Sequence, residues 1–161
     1  MRGGIRSNRD RGRRACGLVT VNRPELRNAL DNELIAALDG AVKQLAADSE
    51  VKVVVLTGAA PPGGIGGFGS GGDTKRDARD GLGMMLGDPP DALEGDLSRH
   101  DGHVAMLLHL MSKPTIAMVG GPAVGAGCSL AAACDLRFVS DDAVFATNFS
   151  PNGLSGDCGG T

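Results

Sequence analysis

The run from Lys113 to Asp135, KPTIAMVGGPAVGAGCSLAAACD, constrains the fold more than any other part of the chain. Lys113-Pro114 stops a preceding helix, because proline donates no N–H and biases the residue before it toward extended geometry. Thr115–Val119 is an apolar run of strand length, closed by the turn residues Gly120-Gly121-Pro122. Gly125-Ala126-Gly127 then opens Cys128–Ala133, a segment with almost no side-chain bulk. A helix there can approach another backbone closely, and its first N–H groups lack intrahelical partners. Two readings fit this corner: a tightly packed strand, turn and helix with no ligand, or a helix N-terminus that receives negative charge.

The chain has 161 residues and is 42% hydrophobic, which suffices for one domain with a core. Its charge is uneven: residues 1–14 hold six Arg and one Asp, a net of +5, so the rest carries −8 of the overall −3. Residues 1–15 are expected to be a disordered Arg-rich leader, with residues 16–161 forming the domain. Such a leader is either a basic nucleic-acid arm or misassigned coding sequence. Four Phe with no Tyr or Trp argue against modules that stack bases on aromatic rings, so no nucleic-acid partner is expected. Cysteines 16, 128, 134 and 158 form no C-x-x-C pair and read as free thiols in a reducing compartment. No run is long and apolar enough for a membrane helix, and no apolar stretch follows the arginines as in a secretory signal. A cytoplasmic location is expected.

In chain order, Gly17–Asn22 has the alternation of a strand and closes at Arg23-Pro24. Leu30, Leu34, Leu38, Val42 and Leu45 recur at helical spacing over Asp31–Ala47, with Asp31 placed to cap the helix. Val51–Thr57 reads as a strand buried on both faces, as in a parallel sheet. Gly64-x-Gly66-x-x-Gly69 matches a dinucleotide fingerprint by letter, but Pro61-Pro62 separates it from the strand, so the match follows from glycine density. Residues 76–100 read as a surface loop or lid, and Asp101–Met111 as a helix. His100-x-x-His103 lacks a third ligand at metal spacing, so no metal site is expected. Leu136–Val139 and Ala143–Phe145 read as short strands.

Two glycine-rich turns each follow a strand: Ser70-Gly71-Gly72-Asp73 and Gly125-Ala126-Gly127. If those strands are neighbours, both turns leave the sheet at one edge, and their N–H groups can converge on one oxygen. Two such donors form an oxyanion hole, which stabilises charge as it develops. Glycine at 72 and alanine at 126 leave room for that approach.

The strings VTVNRPELRNAL, VVVLTG, F-x-S-G-G-D-x-K, KPTIAMVGGPAVGAGCSLAAACDLR and AVFATNFSPNGLSGDCGGT, collinear from about Gly17 to Thr161, resemble the crotonase family of enoyl-CoA hydratases and isomerases. The resemblance implies an α/β fold, a crotonase-like spiral of β-β-α turns, incomplete at the C-terminus. It implies acyl-CoA thioester substrates, no metal or redox cofactor, and a homotrimer or hexamer. By position, Gly72 and Ala126 would supply the oxyanion N–H groups. Ser70, Asp73, Thr74 and Lys75 would flank the CoA, Arg27 would meet its phosphates, and Ala29 would lie beside it.

The two glutamates that position water in family hydratases fall here on Ser129 and Phe149, and neither can do acid–base work. Asp157 stands where certain isomerase-type and dehalogenase-type members carry a catalytic aspartate; its alternative role is to cap the turn at Cys158–Gly160. The expected activity is therefore double-bond isomerisation more than hydration, with an inactive acyl-CoA-binding remnant as the alternative. The family's first strand is not evident before Gly17, and the family pattern runs about a hundred residues further, so a truncated or frame-disturbed product is expected.

Overall fold

The computed structural model describes residues 4–9, 15–73 and 103–152. Its elements in order are β1 (Gly4–Arg9), β2 (Cys16–Asn22), α1 (Asn32–Ala47), β3 (Val53–Gly58), α2 (His103–Leu110), β4 (Thr115–Val119), β5 (Ala123–Val124), α3 (Ala126–Ala133), β6 (Leu136–Val139) and β7 (Phe145–Ala146). One sheet runs β1-β2-β3-β4-β6 and a second pairs β5 with β7. Within the large sheet β1 is antiparallel to β2, and every other pair is parallel. The mixed α/β class is as expected. Part of the leader is not: Gly4–Arg9 pairs along β2, from Gly4 opposite Asn22 to Arg9 opposite Gly17, where disorder and no strand were expected. The segment GIRSNR shows no apolar alternation, and its pairing uses backbone groups that any sequence carries.

Alternate residues of the strands point into one core. Val19, Val21, Val54, Leu56, Ala117 and Val119 are buried on the helix side of the sheet, facing Leu34, Leu38, Val42 and Leu45 of α1, Val104 and Leu108 of α2, and Leu130 of α3. The helix α1 forms because those leucines and Val42 fall on one stripe and because Asp31 caps it, its Oδ1 accepting the Leu34 N–H at 2.8 Å. At the other end Lys113 Nζ donates to the carbonyls of Leu45 and Asp48, each at 2.6 Å. Arg137 does the same behind α3, reaching the Cys134 carbonyl at 2.7 Å and that of Ala132 at 3.1 Å. Cations at these carbonyl ends suit the helix dipole.

β3 is buried on one face only. Val54 and Leu56 are buried, while Val53, Val55 and Thr57 are half-exposed. The apolar run misled because Val55, Leu18, Ile116 and Met118 line a second sheet face that is apolar yet only partly covered among the described residues. Among the described residues no helix is long and apolar enough to cross a membrane.

For the site, the decisive feature is that β3 and β4 are parallel neighbours, with Leu56 opposite Ala117 and Thr57 opposite Met118. The chain leaves both at the same edge of the sheet.

Candidate active site

After β3 the chain turns through Gly58–Gly67 and then runs extended beside two other segments. Phe68 and Gly69 donate to the Pro122 carbonyl, Val124 donates to that of Gly69, and Gly69 bridges Ala123. Further along, Gly72 bridges Leu30: the Leu30 N–H donates to Gly71 O and the Asp73 N–H to Leu30 O, both at 2.8 Å. No helix opens at Gly69, so the letters of the dinucleotide fingerprint have none of its geometry.

The two glycine turns meet backbone to backbone. A Cβ on Gly69 would lie 3.3 Å from the Gly127 Cα, and one on Gly125 would lie 3.5 Å from the Gly71 Cα. A Cβ on Gly127 would collide with the Gly69 carbonyl. Gly71 and Gly125 also hold positive φ, 87° and 52°, which a residue with a side chain adopts at a cost.

Trans peptide geometry then gives the direction of the two N–H groups, since C=O and N–H of one planar peptide point opposite ways. Gly71 C=O points at Leu30, so the Gly72 N–H points away from it. Gly125 C=O accepts the Ser129 N–H at 3.1 Å along the α3 axis, so the Ala126 N–H points out of the helix N-terminus. Neither N–H has an acceptor among the described residues.

Ser129 and Phe149 both lie at this corner. Ser129 is buried in the first turn of α3 with Oγ 3.5 Å from Gly125 O, and a Cβ on Gly125 would sit 3.7 Å from the Phe149 ring. The corner is lined by a hydroxyl and an aromatic ring, with no carboxylate from either position.

A family model described as enoyl-CoA hydratase/isomerase matches residues 11–161. The chain belongs to the enoyl-CoA hydratase/isomerase family. It is 37% identical to the probable mitochondrial enoyl-CoA hydratase of Dictyostelium discoideum over 90% of this chain and 47% of that protein. It is 33% identical to the short-chain-enoyl-CoA hydratase of Clostridium acetobutylicum over 89% of this chain and 50% of that protein. Among solved structures, an enoyl-CoA hydratase from Polaromonas sp. JS666 superposes with a TM-score of 0.75 at 32% identity, covering 98% of this chain and 56% of that one. The fold is therefore crotonase-like, and the chain spans about half the length of the curated relatives it matches.

Within this family member the remaining candidates fall in different places. Arg27 is exposed, in the left-handed region at φ 53°, with its N–H on Pro24 O at 3.1 Å. Ala29 is buried, and Ser70 Oγ reaches the Leu26 carbonyl at 3.4 Å. Asp73 turns its carboxylate to Arg23 Nη2 at 3.1 Å. Thr74, Lys75 and Asp157 lie outside the described residues, as does His100, and among the described residues no three metal-ligating side chains gather. His103 instead meets Asp39 Oδ1 at 2.6 Å, tying α2 to α1.

Two residues of the corner went unnoticed in the sequence. Asn28, fully buried at φ 58°, donates to the carbonyls of Ala59 and Gly67 at 3.0 and 2.6 Å and accepts the Arg23 N–H at 2.8 Å. Arg23, also buried, reaches Ala29 O, Asp31 and Asp73. A signal for Arg23 was present: it continues the inward alternation Val19, Val21, Arg23, and an inward guanidinium requires carboxylates.

Proposed function

We propose that the chain acts on acyl-CoA thioesters, holding the thioester oxygen between the N–H groups of Gly72 and Ala126 while a proton moves at carbon. The observation that carries this reading is the contact of the two glycine turns at one sheet edge, each with an N–H directed away from its own hydrogen-bonded partners. Donors fixed in advance need no reorganisation as the oxygen gains negative charge, which is where such sites act most strongly. Membership of the enoyl-CoA hydratase/isomerase family supports this substrate class.

Isomerisation is favoured over hydration because Ser129 and Phe149 occupy the corner that a water-splitting pair would need. In this reading Asp157 takes a proton from the α-carbon of a 3-enoyl thioester, exchanges it with solvent and delivers a proton to the γ-carbon, so the double bond moves and no atom is gained. Arg27, Ala29, Ser70, Asp73, Thr74 and Lys75 flank the CoA. No cofactor beyond the thioester takes part, and the active protein is a cytoplasmic homotrimer or hexamer.

The test is a panel of 2-enoyl- and 3-enoyl-CoA thioesters in deuterated water, read by mass spectrometry. The expected product is the positional isomer carrying deuterium, with Asp157→Asn slowing turnover by about a hundredfold or more. A 3-hydroxyacyl product refutes isomerisation. Saturable binding with no product supports an acyl-CoA-binding remnant instead.

A further inference from the structure

We propose that Arg23 is the positioning residue of this site: its buried guanidinium fixes the register of Gly72 against Leu30 and so aims the Gly72 N–H. The inference rests on the oxyanion reading above.

The segment that carries Gly72 is poorly equipped to hold its own register. Gly69, Gly71 and Gly72 have no side chains, and Ser70 makes only a 3.4 Å contact with the Leu26 carbonyl. Glycine-rich extended segments slip easily, and a slip of one residue turns every backbone group to the opposite side. At Gly72 such a slip directs its N–H at Leu30 and away from the side where the Ala126 N–H points.

The first long side chain after these glycines is Asp73, and Arg23 holds it at 3.1 Å. The other edge of the guanidinium grips the facing segment on both sides of Leu30, with Nη1 at 3.0 Å from Ala29 O and 2.9 Å from Asp31 Oδ2. Arg23 thus spans the bridge between Leu30 and Gly72, fastened to residue 29 and residue 31 on one segment and to residue 73 on the other. Its side chain is 9% exposed, with those of Asp31 and Asp73 at 8% and 14%. A buried charge with charged partners adds little stability over an apolar residue of the same size, whereas its geometry admits few alternatives. A planar fork with fixed donors suits that role, and a lysine ammonium would cover only part of it.

The experiment uses the full chain with butyryl-CoA labelled with carbon-13 at its thioester carbonyl, a saturated probe. Infrared difference spectra report polarisation of the bound C=O, and calorimetry reports affinity. Wild-type protein is expected to shift the C=O stretch to lower wavenumber. Arg23→Met is expected to keep the dissociation constant within about threefold, since most CoA contacts persist, while losing that shift. Arg23→Lys recovers part of it. A full shift in folded Arg23→Met overturns the positioning role and leaves the oxyanion reading standing. Absence of any shift in the wild type refutes the oxyanion reading, and this inference with it. If Arg23→Met does not fold, Asp73→Ala, which removes the Arg23 tether on this segment while retaining the pairing of Arg23 with Asp31, serves as the second probe. Loss of the shift there supports the role, and its retention overturns it.

Discussion

Cys134 ends α3 with its side chain against the core and its thiol 3.5 Å from the Leu130 carbonyl. Burial pushes its pKa up to about 11, outweighing the Thr115 hydrogen bond and the nearby Arg137, which pull the other way. Since the thiolate is the nucleophile, about one Cys134 in a thousand is reactive at pH 8. Iodoacetamide on the native protein at that pH should label the partly exposed Cys16 and leave Cys134 unmodified until denaturant is added, as read by peptide mass mapping. Labelling of both at one rate would contradict the burial. Asp135, the next residue, shows the opposite shift. The N–H and Oγ1 of fully buried Thr115 both donate to its Oδ2, at 2.8 and 2.9 Å, and hold its pKa below the ordinary value. A carboxyl depressed in the folded state stabilises the fold above its unfolded pKa, ~3.9, and that contribution fades as pH falls through the lower folded value. Urea unfolding should therefore separate wild type from Asp135→Asn at neutral pH, and the gap should close on acidification below that range. A gap constant across both conditions would assign the loss to shape and not to charge.

At the scale of the element, α1 is over-determined except at one residue. It has the apolar stripe, the Asp31 cap and Lys113 on its last carbonyls, yet Gly40 stands in its middle, exposed, with open space where a Cβ would be. Gly40→Ala should raise stability by about 0.5–1 kcal/mol, through the lower chain entropy of the unfolded state and better helix propensity. Chemical denaturation measures it, and an unchanged midpoint would mean that α1 frays at Gly40. α1 was legible because its pattern repeats over four turns, and β4 and β6 were legible because turn residues bracket them. Ala143–Phe145 reads as a strand and meets β7 at Phe145 alone, while β5, two residues long, offers no period to read; both strands exist through long-range pairing, Ala123 with Phe145 and Val124 with Ala146. The site was partly legible for the same reason. Two glycine turns after two strands are a local pattern, and the β3–β4 pairing then brings them together. Arg23 and Asp73 lie 50 residues apart, so their pairing waits on tertiary structure.

At the scale of the molecule, the helix side of the sheet is closed while its far edge is not. β6 pairs only with β4 among the described residues, and all four of its residues are exposed. Leu136, Phe138 and Val139 are 53%, 62% and 55% exposed, with Val144 and Phe145 exposed just beyond. An apolar strand with one free edge is the kind of surface that natural sheets blunt with charge or cover with another element. Here Arg137 is the strand's only charged side chain, and its guanidinium is turned back onto the α3 carbonyls. The protein as described should accordingly bind 1-anilinonaphthalene-8-sulfonate while native, with a fluorescence rise that is lost when Phe138 is replaced by lysine. Because Phe138 touches little of the core, Phe138→Lys should alter stability by no more than about 0.5 kcal/mol. It should also lower light scattering at high protein concentration, since a lysine on an edge strand opposes edge-to-edge pairing. A native protein that leaves the dye dark would refute an open apolar edge at β6. A dye signal that survives Phe138→Lys would locate the open apolar surface instead on the half-covered sheet face of Leu18, Val55, Ile116 and Met118.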